Sequence, residues 1–136
     1  MILQWNDTMT TGVKEFDDDH KKMIFWVNEL IEAISTGKEK REIVDILADL
    51  GTLALIHFSG EERCMHKVKC PTAAANKKAH TEFLQYFTKL NNDVRKYGSS
   101  AVTVPDLQNS LSTWLENHII TVDTALRTCI ILNPKV

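Results

Sequence analysis

Apolar residues in this chain recur at steps of three and four, the period of helices that bury one face. A first stripe runs through Met23, Ile24, Val27, Leu30, Ile31 and Ile34 and closes at Gly37. A second carries Ile43, Ile46, Leu47, Leu50, Leu53, Ala54 and His57 and stops before Pro71. A third holds Ala79, His80, Phe83, Leu84, Phe87 and Leu90 and ends at Gly98. The fourth begins at Pro105, a residue suited to a first helical turn, and continues through Leu107, Leu111, Trp114, Leu115, His118 and Val122. The pattern predicts helices over residues 17–36, 39–69, 72–97 and 105–128. Asp17, Asp18 and Asp19 suit the amino end of the first. An irregular arm over residues 1–16, anchored by Trp5 and Val13, precedes it. Short connections make consecutive helices antiparallel, so the expected fold is all-α: an up-down-up-down four-helix bundle forming one domain over residues 1–136.

Composition agrees with a single packed domain. Of 136 residues, 43% are hydrophobic and 25% charged, and only 5 Gly and 3 Pro interrupt the helical pattern. Gly51 and Gly60 fall inside the second helix, where each costs about 1 kcal/mol relative to Ala, so a close approach by a neighbouring helix or the arm is expected there. The 16 basic and 18 acidic residues give a net charge of -2, which argues against non-specific binding to nucleic acid. No uninterrupted apolar run is long enough to predict a membrane span. Trp5, Asn6 and Asp7 stand where a secretory signal needs a basic and then an apolar run. The 3 cysteines show no CxxC spacing, so no disulfide framework is expected, and the reading is of a reduced, cytoplasmic protein.

The chemistry begins with the histidines. Four of the 5, His20, His57, His80 and His118, lie one on each predicted helix. A single histidine on an apolar face is ordinarily a hydrogen-bonded core residue. Several imidazoles in one small core lack partners enough for that, and a metal ion would satisfy them together. Glu61 follows His57 by one turn, about 40° around the helix, so both face one way. Asp123 follows His118 by five residues, about 140° around a regular helix. To share a site with His118 it needs a π-type widening of the fourth helix; otherwise it is solvated. His66 lies about 180° from His57 and reads as surface. Glu62, about 100° from Glu61, also reads as exposed. Imidazole with carboxylate suits iron, manganese or zinc, and carboxylates among several histidines suit a bridged pair of ions.

At these residues the chain resembles the hemerythrin family, in particular its single-domain bacterial members. The matching pieces are Trp5, Gly12 and Val13, the run from Phe16 to His20, the run from His57 to Glu62 with Met65, Pro71, His80 with Glu82 and Phe83, the run from Trp114 to Ile119, and Asp123. The resemblance implies a non-haem, carboxylate-bridged di-iron centre that binds dioxygen reversibly, for transport, storage or sensing. It assigns His20 and His57 to the iron that meets dioxygen, His80 and His118 to the other, and Glu61 and Asp123 to the bridges. It matches Leu115 to the leucine bordering the dioxygen pocket, and Phe58, Ile24 and Trp114 are suited to complete an apolar wall.

One position departs from the family pattern. Asn76, one turn before His80 and on the same face, stands where the resemblance places a further histidine. Its amide oxygen is a poor iron ligand beside imidazole, and a water is expected in the vacated place. The alternative function is therefore a di-iron redox enzyme handling dioxygen, peroxide or nitric oxide. No further acid is expected against the ligands, which favours binding over catalysis. A sensing role would call for a separate signalling partner, and the expected assembly is a monomer or small homo-oligomer.

Overall fold

The computed structural model describes residues 3–132, the side chains of Asp123 and Thr124 excepted. Helices α1 (Lys14–Ser35), α2 (Lys40–Lys67) and α3 (Ala73–Tyr97) are followed by α4, which joins Val104–Leu107, a wider π-type segment Gln108–Thr113, and Trp114–Leu132. No strand occurs among the described residues. Helix α1 packs along α2, α2 along α3, and the first part of α4 closes against α1, giving the four-helix bundle that the stripes predict. By length and composition α2 is apolar enough to cross a membrane. In the bundle it lies between α1 and α3 with His57 and Glu61 on its buried face, the arrangement of a core helix.

The helix ends follow from local chemistry. At the end of α1, Gly37 takes φ +66°, Lys38 N–H donates to Ala33 O at 2.9 Å and Gly37 N–H to Ile34 O at 3.2 Å, so two terminal carbonyls are satisfied. The same turn ends α2 on a non-glycine residue: Lys69 has φ +54°, and Cys70 N–H reaches Met65 O at 2.8 Å. At the start of α4 the Thr103 hydroxyl accepts the Asp106 N–H at 3.3 Å, with Pro105 in the first turn.

Helix α1 starts at Lys14, earlier than the acidic residues predict. Asp17 is used differently: its buried Oδ1 accepts both the N–H and the hydroxyl of Thr11, each at 2.8 Å, and so pins the arm to α1. The arm's anchors also differ from the expected pair. Leu3, Met9 and Thr11 are buried, whereas Trp5 and Val13 are half-buried, Trp5 lying beneath the Lys21 ammonium. Asp17→Ala leaves the buried Thr11 N–H unpaired and is expected to cost about 2 kcal/mol in a urea melt. A cost near zero would mean that the arm is held by its apolar contacts alone.

Both interior glycines of α2 mark close approaches. A Cβ on Gly51 would lie 2.8 Å from the Phe87 ring of α3, and one on Gly60 would lie 3.4 Å from the Phe16 ring of α1. The expectation of an unbridged, reduced chain is corrected by a Cys70–Cys129 disulfide, which ties the α2–α3 turn to the carboxyl end of α4; Cys64 is free. Spacing rules miss this pair because its 59-residue separation is closed only by the fold.

Candidate metal centre

Four helices each deliver one imidazole to Glu61, which sits one turn after His57 on α2 and is fully buried. Glu61 Oε2 lies 3.0 Å from His20 Nε2 and 2.8 Å from His57 Nε2. Its Oε1 lies 3.1 Å from His80 Nε2 and 3.8 Å from His118 Nε2. Within each pair the Nε2 atoms approach to 2.7 Å (His20 and His57) and 2.9 Å (His80 and His118). The result is two donor triplets that share one carboxylate.

The outer faces of two imidazoles fix which nitrogen points inward. His57 Nδ1–H donates to Asp19 Oδ2 at 3.1 Å, and His80 Nδ1–H donates to Glu62 Oε2 at 3.0 Å. That pairing leaves the Nε2 lone pair of each ring aimed at Glu61 and at another imidazole. Converging lone pairs repel unless a cation or proton lies among them. Donors that bond one ion at about 2.1 Å and at right angles stand about 3.0 Å apart, the spacing seen here. The residues present therefore fit a metal in each triplet, and imidazole with carboxylate suits iron.

Electrostatics point the same way. Burial alone would raise the Glu61 pKa, but His118, His20, His57 and His80 together hold it well below the usual carboxylate value. Burial lowers His20 and His118 despite Glu61. It would lower His57 too, but Glu61 and Asp19 outweigh it and raise that imidazole. The centre thus keeps an anion ready for a cation.

Asp19 and Glu62 are functional positions that the sequence reading missed. Glu62 is not a free surface acid, and the expected absence of further carboxylates against the ligands is corrected by both residues. The rotation from Glu61 to Glu62 is as computed from the sequence, but α3 packs so that His80 turns its outer nitrogen to meet it. No periodicity within one helix reveals such a partner. Asp19→Asn and Glu62→Gln are each expected to weaken metal binding about 10- to 100-fold, read by competition with a chelator. Unchanged affinity in both would reduce these carboxylates to surface charge.

Aromatic rings hold the imidazoles from the side. Phe58 stacks on His80 with centroids 3.9 Å apart, Trp114 stacks on His118 at 4.6 Å, and Phe16 meets His57 edge-on at 5.5 Å. Phe58 and Trp114, expected beside the dioxygen-facing pair, thus lie closest to the other pair. Leu115 and Ile24 are buried in the main apolar cluster with Phe58. His66 is exposed.

Asn76 is buried, donates from Nδ2 to Met65 Sδ at 3.2 Å, and leaves Oδ1 without a partner. The expected bridge Asp123 lies outside the described side chains. The wide turn expected between His118 and Asp123 is instead upstream, over Gln108–Thr113, and the helix from Trp114 onward is regular.

The hemerythrin HHE cation binding domain matches residues 11–126, a span that includes every donor described above. A bacteriohemerythrin of Pseudomonas aeruginosa (strain PAO1) is 32% identical over 117 residues, covering 86% of this chain and 74% of its own. One from Clostridium acetobutylicum is 23% identical over 125 residues, covering 90% and 96%. A hemerythrin-like protein of Naegleria gruberi is 26% identical over 118 residues, covering 86% and 84%. With a cation-binding domain matched across the whole histidine–glutamate cluster, the chain belongs to the hemerythrin family of iron-containing, dioxygen-binding proteins.

Proposed function

We propose that this protein binds dioxygen reversibly at a non-haem di-iron centre, as a carrier, store or sensor. The observation that carries the reading is the pair of donor triplets on the two oxygens of Glu61. His20 and His57 hold one iron and His80 and His118 the other, with Glu61 common to both. Asp123 is proposed as a second bridge on the family resemblance. Iron, when bound, supplies reversible redox chemistry toward dioxygen. The chain's own part is to hold, orient and dry the site. Asp19 and Glu62 fix the inward tautomer of His57 and His80. Phe58, Leu115 and Ile24, all buried, keep water from the centre.

The test is iron content on fresh protein, with visible spectra recorded reduced, oxygenated and deoxygenated. The expected result is two irons per chain, one per triplet, and a charge-transfer band that comes and goes with dioxygen over many cycles. A band that forms once and never reverses would overturn the carrier reading. Asn76 favours a second reading, multiple turnover of peroxide or nitric oxide, because its unpartnered Oδ1 can bind a proton-bearing ligand near the centre. Consumption of many equivalents of peroxide per chain would select it.

A further inference from the structure

Between α3 and α4, beside the His80 and His118 triplet, is a cavity of about 140 Å³. His118, Asn76, Met65, Ala79 and Ala125 are among the residues that line it. It is the one place where open space, a donor imidazole and an unsatisfied buried polar atom coincide: the Asn76 Oδ1 has no partner, and the residue is 5% exposed. The amide orientation is fixed from its other end, since Nδ2 donates to the Met65 thioether at 3.2 Å, and a thioether cannot donate in return. A carbonyl oxygen only accepts, so its missing partner must carry a hydrogen.

We propose that this cavity is a second small-ligand position of the centre, on the His80 and His118 half. It takes a ligand bearing an O–H, such as water, hydroxide or hydrogen peroxide, that donates to Asn76 Oδ1. The proposal rests on the di-iron reading and adds to it an exchangeable place on the half opposite His20 and His57. The volume is large enough for several waters, so a triatomic anion fits as well. Such an anion enters as the O–H ligand leaves, and because azide carries no hydrogen it gains nothing from Asn76.

The experiment is an azide titration of the oxidised, iron-loaded protein, followed by calorimetry and visible spectra, with iron measured on each sample. Wild type is expected to bind two azides per chain and Asn76→His one, because the added imidazole takes the place. Asn76→Ala keeps the room but removes the acceptor, so its second azide should bind about tenfold tighter as the competing water loses its hydrogen bond. Ala125→Leu fills the cavity from α4 and should lose the second azide with both irons retained, which keeps the test open if the Asn76 variants do not fold. One azide on wild-type protein holding two irons, or two on Asn76→His, overturns the proposal. An equal second affinity in wild type and Asn76→Ala overturns the hydrogen bond to Asn76. Fewer than two irons on wild type overturns the di-iron reading itself, and this inference with it.

Discussion

Replacing Glu61 with glutamine is expected to strip both metals from the protein together. The carboxylate is fully buried and each of its oxygens serves a different pair of imidazoles, so no half of the centre is independent of it. Glutamine keeps the volume but removes the negative charge and turns one oxygen into an NH2 that can only donate. Whichever half meets the NH2 loses a ligand, and the other half loses the charge that offset its cation. A change in the residues that merely orient a ligand costs about 10- to 100-fold in affinity, so the loss here should exceed about 100-fold. Metal analysis after equilibration with a chelator reads it directly, and circular dichroism checks that the helices persist. Two metals retained by a folded Glu61→Gln protein would remove Glu61 from the bridge.

The largest effect on folding is expected from cutting the Cys70–Cys129 bond. A cross-link closing 59 residues limits the unfolded chain by about 4 kcal/mol in the loop-entropy account. For a chain of 136 residues this corresponds to about 10–15 °C in melting temperature. Cys129→Ala should therefore melt that far below wild type in the absence of reductant, and added dithiothreitol should lower wild type but not the variant. Superimposed melts under non-reducing conditions would sink the idea. Metal content of the folded variant should hold, since neither sulfur touches a donor of the two triplets.

The bundle could be read from the sequence because its helices are long, strongly striped and separated by few breakers. Each boundary error came from a residue whose chemistry turned elsewhere. Asp17 looked like a helix start and is the arm's latch, and Trp5 looked like an anchor and lies half-buried under Lys21. His57 and Glu61 were readable because one turn of one helix sets their relation. His20, His80 and His118 stood out by residue type and family resemblance. What stayed hidden depends on facing helices: the Asp19–His57 and Glu62–His80 pairs, the disulfide, and the cavity beside Asn76. A one-dimensional pattern holds the rotation of each helix about its own axis. It does not hold the angle at which two helices meet.

The wide turn at Gln108–Thr113 also bears on which insertions and deletions the chain tolerates. Leu107, Leu111, Leu115 and Ile119 follow one another by four residues and are all fully buried, a run that would drift around a regular α-helix by about 40° per step. The widened segment takes up part of that drift. Deleting one residue there would restore ordinary helical hydrogen bonding and cost the helix nothing locally. It would also turn everything downstream by about 100°, carrying His118 off the centre and Trp114 off its ring. In this part of the chain the number of residues is under selection as strongly as their identity, and a substitution is the milder kind of accident.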